Sequence, residues 1–153
     1  MTNINLQPVA FVTNNRDTLS DDFWGDTVSE ITLLPHIPES AFDHIEEFSH
    51  LEIIYYFDRV DRDKIVFSGH PRGNPQWPGT GIFAQRKKDR PNQLGLCTVQ
   101  LVSHKGRTIT VKLLDAINNS PVLDIKPVFK EFKLDAGIKQ PEWVTELMVD
   151  YWK

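Results

Sequence analysis

Residues 81–102 read Gly81-Ile-Phe-Ala-Gln-Arg-Lys-Lys-Asp-Arg-Pro-Asn-Gln-Leu-Gly-Leu-Cys-Thr-Val-Gln-Leu-Val102. The apolar run Gly81 to Ala84 predicts one strand, and Leu96 to Val102, where Val99 and Leu101 alternate with Thr98 and Gln100, predicts another. The polar loop between them has defined geometry. Pro91 fixes its own φ and holds Arg90 extended, Asn92 tolerates left-handed backbone, and Gly95 permits close backbone approach. Arg86, Lys87, Lys88 and Arg90 add four cations within five residues, beside the amide of Asn92. A solvated basic hairpin loop has the same composition, so these residues alone leave both readings open.

Working outward, Gln7 to Val12 predicts a strand running into the turn Thr13-Asn14-Asn15-Arg16. Thr27 to Leu34 predicts a second strand with Val28, Ile31 and Leu33 as its apolar members, ended by Pro35. From Pro38 to Phe48, Phe42, Ile45 and Phe48 fall at helical spacing and predict a short amphipathic helix. Leu51 to Phe57 is apolar, β-branched and aromatic, as a buried central strand requires. The connection Asp58 to Thr80 is too long for a compact domain unless it is functional, and its prolines and glycines exclude a regular element. We expect an ordered lid there, offering Arg72 as a cation and Trp77 as a stacking surface; a loop closed by proline and tryptophan packing fits equally.

Downstream, His104 to Arg107 predicts a tight turn, and Ile109, Val111 and Leu113 alternate with Thr108, Thr110 and Lys112 in the clearest strand pattern of the chain. Asp124 and Lys126 stand two apart in an extended segment, so they share a face and can pair. Lys130 to Gln140 is charged and reads as loose. Pro141 opens a final helix of about residues 141–152, with Val144, Leu147, Met148 and Tyr151 on one packing stripe. The elements together predict a mainly β fold with short flanking helices.

At 153 residues and 40% apolar content, one domain over residues 1–153 suffices. No run approaches the length of a membrane span and no leader pattern opens the chain, so a soluble, cytoplasmic protein is expected. Cys97, the single cysteine, lies in a predicted strand and reads as a small buried hydrophobe. The formal charge of −4 hides a division: residues 17–63 hold thirteen acids against Arg59 and Arg62, whereas residues 64–153 hold fourteen bases against eight acids. A local basic face on an acidic protein suits a limited phosphate contact. Phosphate-binding Gly-x-x-x-x-Gly-Lys, Gly-x-Gly-x-x-Gly, Cys-x-x-Cys and His-Glu-x-x-His motifs are missing from the sequence, so neither nucleotide hydrolysis nor a metal site is expected.

Gly81-Ile-Phe-Ala-Gln-Arg86, Arg90-Pro-Asn92 and Gly95 resemble the signature of the TsaA-like family, also called YaeB or TrmO. Phe48-Ser-His-Leu51, Asp115 with Ser120-Pro-Val-Leu-Asp124, and Ile125-Lys-Pro127 match further family motifs in order, so the resemblance spans about residues 7–132. It implies an antiparallel β-barrel that binds S-adenosylmethionine and methylates a threonylcarbamoyl-modified adenosine beside the transfer RNA anticodon, as a homodimer with its cofactor pocket beside the subunit interface. By position it implies a cofactor site of Asn14, Asn15, Ser49, His50, Arg86, Asp89, Arg90, Pro91, Asn92, Leu94, Gly95, Asn118, Asn119 and Ser120. Asp124 and Lys126 become catalytic candidates, and Arg72, Trp77, Lys87 and Lys88 become substrate-binding ones. The chain departs from the family at Thr13–Arg16, at Asn118, Asn119 and Ser120, which replace Asp, Gly and Thr, and at Val128, which replaces Tyr. A non-catalytic cofactor- or RNA-binding module and a methyltransferase for a small molecule therefore stay open beside the transfer RNA reading.

Overall fold

The computed structural model describes residues 2–132 and 137–153. Its strands are β1 (Ala10–Thr13), β2 (Val28–Leu33), β3 (His50–Tyr56), β4 (Ser68–Gly69), β5 (Thr80–Gly81), β6 (Leu94–Lys105), β7 (Thr108–Lys112) and β8 (Pro121–Pro127), followed by one helix, α1 (Glu142–Leu147). Six strands close an antiparallel barrel in the order β1-β2-β7-β6-β3-β8, while β4 and β5 form a separate two-stranded ribbon. Closure leaves no open barrel edge.

β6 makes the closure possible. Its first half, Leu94 to Gln100, pairs with β3, and its second half, Gln100 to Lys105, pairs with β7. The register slips between Leu101 and Ser103, where a bulge bends the strand round the barrel corner. Along each strand alternate residues point inward. Val12, Ile31, Leu51, Ile53, Val99, Ile109, Val111 and Val122 are completely buried. Burial of one such side chain contributes about 1.5–3 kcal/mol, so these positions set the register.

Several sequence expectations change. Gly81–Ala84 is not a strand: after the two-residue β5 the chain makes a 3-10 turn over Ile82–Ala84 that buries Ile82 and leaves Phe83 83% exposed. Leu94 and Gly95, expected in the loop, already belong to β6. Pro38–Phe48 is not one helix but two 3-10 turns, Glu39–Phe42 and Ile45–Glu47, separated at His44, whose φ of 65° cannot continue a right-handed helix. In β2 the inward residues are Ser29, Ile31 and Leu33, so Val28 faces out. Leu113 lies past the end of β7 with φ of 64°. The last helix covers only Glu142–Leu147, and turns carry the chain on to Tyr151. Within the stretch expected to be loose, Lys130–Phe132 forms a 3-10 turn, and positions 133–136 lie outside the described residues.

Strand directions put three long loops at one end of the barrel: residues 14–27, 57–93 and 113–120. The opposite end carries the β2–β3 connection, the Gly106–Arg107 turn and the exit of β8. Among the described residues no helix is long and apolar enough to cross a membrane.

Candidate functional site

Backbone geometry marks the loop-bearing end. Among the described non-glycine residues with positive φ, Phe23, Arg72, Gln93, Leu113 and Asn119 all sit in its three loops, and only His44 lies elsewhere. Such conformations cost about 1–3 kcal/mol each and collect where structure serves a site.

The loops are stitched to one another. The Asn14 amide donates to Ala116 O and Ser29 Oγ, both at 2.9 Å, and its backbone N–H donates to Asn118 Oδ1 at 3.2 Å. Asn118 Nδ2 donates to Asp17 Oδ1 at 2.8 Å, and Arg59 reaches Asp17 O and Asn118 O. Asn119 holds the left-handed position, φ 66°, that its replacement of a family glycine requires. Ser120 is buried and its carbonyl accepts from Val12 N–H. Asn14 and Asn118 thus spend their polar groups on the fold, while Asn15 and Asn119 stay exposed.

The 85–95 segment forms the facing wall. The Arg86 guanidinium bonds to Leu96 O, and Arg90 Nη1 donates to Gln85 O at 3.1 Å, so both cations shape the loop. Lys87 and Lys88 lie 3.3 and 3.9 Å from Asp89. A recess of about 270 Å³ opens beside this wall, lined by Tyr56, Arg62, Ile65, Pro91, Asn92 and Gln93. Buried Gln93 fixes its floor, accepting from Tyr56 O–H at 2.7 Å and donating to Val60 O at 2.8 Å. Arg62 supplies the cation of the recess, Tyr56 its aromatic face and Asn92 an exposed amide. Tyr56, Arg62 and Gln93 escaped the sequence reading. Tyr56 sat in a stretch read as buried strand, and the other two in loop sequence without a motif.

Beneath the mouth lies a polar cluster of buried Tyr55 and Cys97 with half-buried Asp115 and Tyr151. Asp115 accepts from Tyr55 O–H at 2.7 Å and from Tyr151 O–H at 2.6 Å. Burial, and then the Asp115 charge, pushes both phenols well above their ordinary range, and the Cys97 thiol is raised for the same two reasons. All three stay protonated at neutral pH, so Cys97 is no nucleophile.

Arg72 and Trp77 belong to this end but are engaged within the chain. Arg72 makes a two-point ion pair with Asp22, at 2.6 and 2.9 Å, and Trp77 Nε1 donates to Glu146 at 2.7 Å. Ser49 and His50 do not join the loops. They open β3, six residue steps of about 3.3 Å, or about 20 Å, from Tyr56. A smaller hollow of about 170 Å³ lies at that opposite end, between Phe42, Asp43, Phe48 and Pro127. Asp124 and Lys126 pair at 2.6 Å as their spacing predicts, on the outer face of β8. The carboxylate raises the Lys126 pKa, so this exposed ammonium is protonated at neutral pH and cannot serve as a base.

The family profile described as the tRNA-methyltransferase O N-terminal domain matches residues 20–134. A probable S-adenosyl-L-methionine-binding protein of Methanothermobacter thermautotrophicus is 35% identical over 132 residues, 84% of this chain and 92% of that protein. A similarly described Archaeoglobus fulgidus protein is 38% identical over 98 residues, 64% of this chain but 25% of that protein. The human tRNA (adenine(37)-N6)-methyltransferase is 32% identical over 106 residues, 68% of this chain and 23% of the human one. Among solved structures, TrmO from Pseudomonas aeruginosa aligns with TM-score 0.71 at 19% identity, covering 90% of this chain and 62% of that one. The chain thus spans about a quarter of the Archaeoglobus and human proteins and under two thirds of that solved structure.

Proposed function

Because the chain belongs to the tRNA-methyltransferase O N-terminal domain family, we propose that it is an S-adenosylmethionine-dependent methyltransferase whose acceptor is a threonylcarbamoyl-modified adenosine beside the transfer RNA anticodon. The observation that carries the reading is the gathering of Arg90-Pro-Asn92, the Asn14 loop and the Asn118–Ser120 turn at one barrel mouth, beside a recess with a cation, an aromatic face and a free amide. S-adenosylmethionine supplies a methyl group already activated on its sulfonium. The protein's share is to bind the cofactor, align acceptor and methyl, and exclude water. Arg62 suits the cofactor's carboxylate, and Tyr56 and Asn92 suit a purine face and edge. Lys87 and Lys88, half-buried beside Asp89, offer the phosphate contacts of an RNA acceptor, which such an enzyme would meet in the cytoplasm.

Calorimetry of the purified chain with S-adenosylmethionine should give saturable heat. Arg90→Ala or Asn92→Ala should weaken binding about tenfold, the scale of one lost hydrogen bond. Labelled methyl should enter transfer RNA carrying the threonylcarbamoyl group and not transfer RNA lacking it. Absence of binding heat at saturating cofactor would sink the enzyme reading, and equal labelling of both RNAs would remove the modified base from it.

We infer further that the chain works as a homodimer. The recess of about 270 Å³ sits at the low end of the roughly 300–1,000 Å³ usual for small-molecule pockets, which favours completion by another surface. Ser49 and His50, remote within one subunit, become available if a second copy brings its opposite end to the mouth. Phe67, Phe83, Leu94 and Leu96 are exposed apolar side chains that such packing would cover. Light scattering should return about twice the 17.6 kDa chain mass. A monomer with full transfer activity would overturn this.

A further inference from the structure

The residues from Pro141 onward lie beyond the stretch matched by the family profile, yet they touch all three mouth loops. The first loop is held by two backbone bonds, Phe23 N–H to Asp150 O at 3.1 Å and Trp24 N–H to Tyr151 O at 2.8 Å. The second is held through Trp77, which donates to Glu146 at 2.7 Å and faces the Trp143 ring at 6.3 Å. The third is held through Asp115, which accepts the Tyr151 hydroxyl at 2.6 Å. The fit is close. Gly25 lies so near the segment that an added Cβ would overlap the Trp152 carbonyl, 2.9 Å from its carbon, and this obstacle is backbone that no rotamer change removes.

We propose that residues 141–153 act as a clamp that locks the three mouth loops into one cooperative unit, with Tyr151 as a positioning residue for the cofactor site; the second part rests on the cofactor reading above. The loops hang from different strand pairs and meet one another through side chains such as Asn14, Arg59, Arg72 and Asn118, and the segment adds a tie that reaches all three at once. Tyr151 acts through Asp115. That carboxylate sits at the root of the loop bearing Asn118, Asn119 and Ser120, and it also fixes the Tyr55 hydroxyl. A phenol on one side and a phenol on the other leave Asp115 a single orientation, and the loop above inherits it.

Two variants perturb the clamp from opposite sides, and neither alters a residue placed in the recess. Gly25→Ala should expel the segment by steric conflict. Tyr151→Phe should keep the packing and remove only the bond to Asp115. Hydrogen exchange on the cofactor-free protein of residues 1–153 reads the clamp directly. In Gly25→Ala, amides of all three loops should exchange at least about tenfold faster, while those of β3 and β6 keep their wild-type rates. Faster exchange confined to residues 141–153 and their partners Phe23 and Trp24 would overturn the clamp. Calorimetry with S-adenosylmethionine reads the positioning role. Both variants should raise Kd about tenfold, Tyr151→Phe with a melting temperature lowered by only about 5 °C, so that the protein stays folded in the assay. Wild-type Kd in Tyr151→Phe would overturn that role. If the wild-type protein itself gives no binding heat, the cofactor reading and the positioning role fall together, and exchange still decides the clamp.

Discussion

Gly95→Ala should destabilise the barrel by about 2–3 kcal/mol, as overpacking of a closed core does. Gly95 on β6 stands directly opposite Tyr55 on β3. Both point inward, and the tyrosine ring lies flat over the glycine. An added Cβ would overlap the ring, lying 2.6 and 2.7 Å from two of its carbons. The ring has nowhere to go. Its hydroxyl is held by Asp115 at 2.7 Å, and Phe57 stands edge-on at 5.2 Å. At roughly 2–4 °C per kcal/mol for a domain of this size, the melting temperature should fall by about 5–10 °C. Scanning calorimetry measures this, and a shift under a degree would mean that Tyr55 moves without cost. The outcome bears on function too. The resemblance puts Gly95 in the cofactor site, and its inward position under Tyr55 also lets it seat that ring and, through it, Asp115.

Stability should also collapse in alkali, and its direction follows from the polar cluster. The Tyr55 and Tyr151 phenols and the Cys97 thiol are raised above their ordinary values by burial and by the Asp115 charge. In the unfolded chain the phenols ionise near about pH 10 and the thiol near about 8.5. Between the unfolded and folded values the native state therefore holds protons that the unfolded state has lost. Stability is whole below the unfolded values and falls as pH rises toward the folded ones. Each group contributes a slope of about 1.4 kcal/mol per pH unit, so the three together reach about 4 once all are ionised in the unfolded chain. Urea unfolding at a series of pH values from 7 to 11 should show this, and Tyr151→Phe should remove about a third of the limiting slope. A flat profile would mean that the three groups titrate in the folded protein as freely as in the unfolded one.

How far the sequence led depended on whether one period or one contact decided a residue's place. The strand holding Ile109 and Val111 was legible because strict alternation admits one face only, and the Asp124–Lys126 pair followed from the same two-residue spacing. β2 was legible as a strand but its faces were not, because bulk and parity disagree there: Val28 outweighs Ser29 in apolar content, yet small Ser29 faces in and accepts the Asn14 amide. The Pro38–Phe48 helix failed at His44, whose left-handed backbone resets the direction of the chain; nothing in Asp43-His44 announces it. Motif order named Asn14, Arg90, Asn92 and Asn118, which the fold places at one barrel end, together with Ser49 and His50, which it places at the other, because order along a chain does not say which end of a strand a residue occupies. The Tyr151–Asp115 bond was hidden for a different reason. A tyrosine on an apolar stripe reads as packing, and only the fold shows a carboxylate meeting its hydroxyl from a loop far back in the chain.

Barrel closure fixes a timetable for synthesis. β3, with its Leu51-Glu-Ile-Ile-Tyr-Tyr56 core, pairs with β6 and β8, both of which follow it in the chain, and β1 closes the ring by pairing with β8. While the ribosome makes residues 57–93, the barrel strands already formed can satisfy only β1 against β2. β3 waits, apolar and unpaired, for the whole second loop to be translated. The long connection that carries half of the candidate site is therefore also a delay during which the nascent chain exposes its most adhesive strand, and the ring shuts only after Pro127 has emerged.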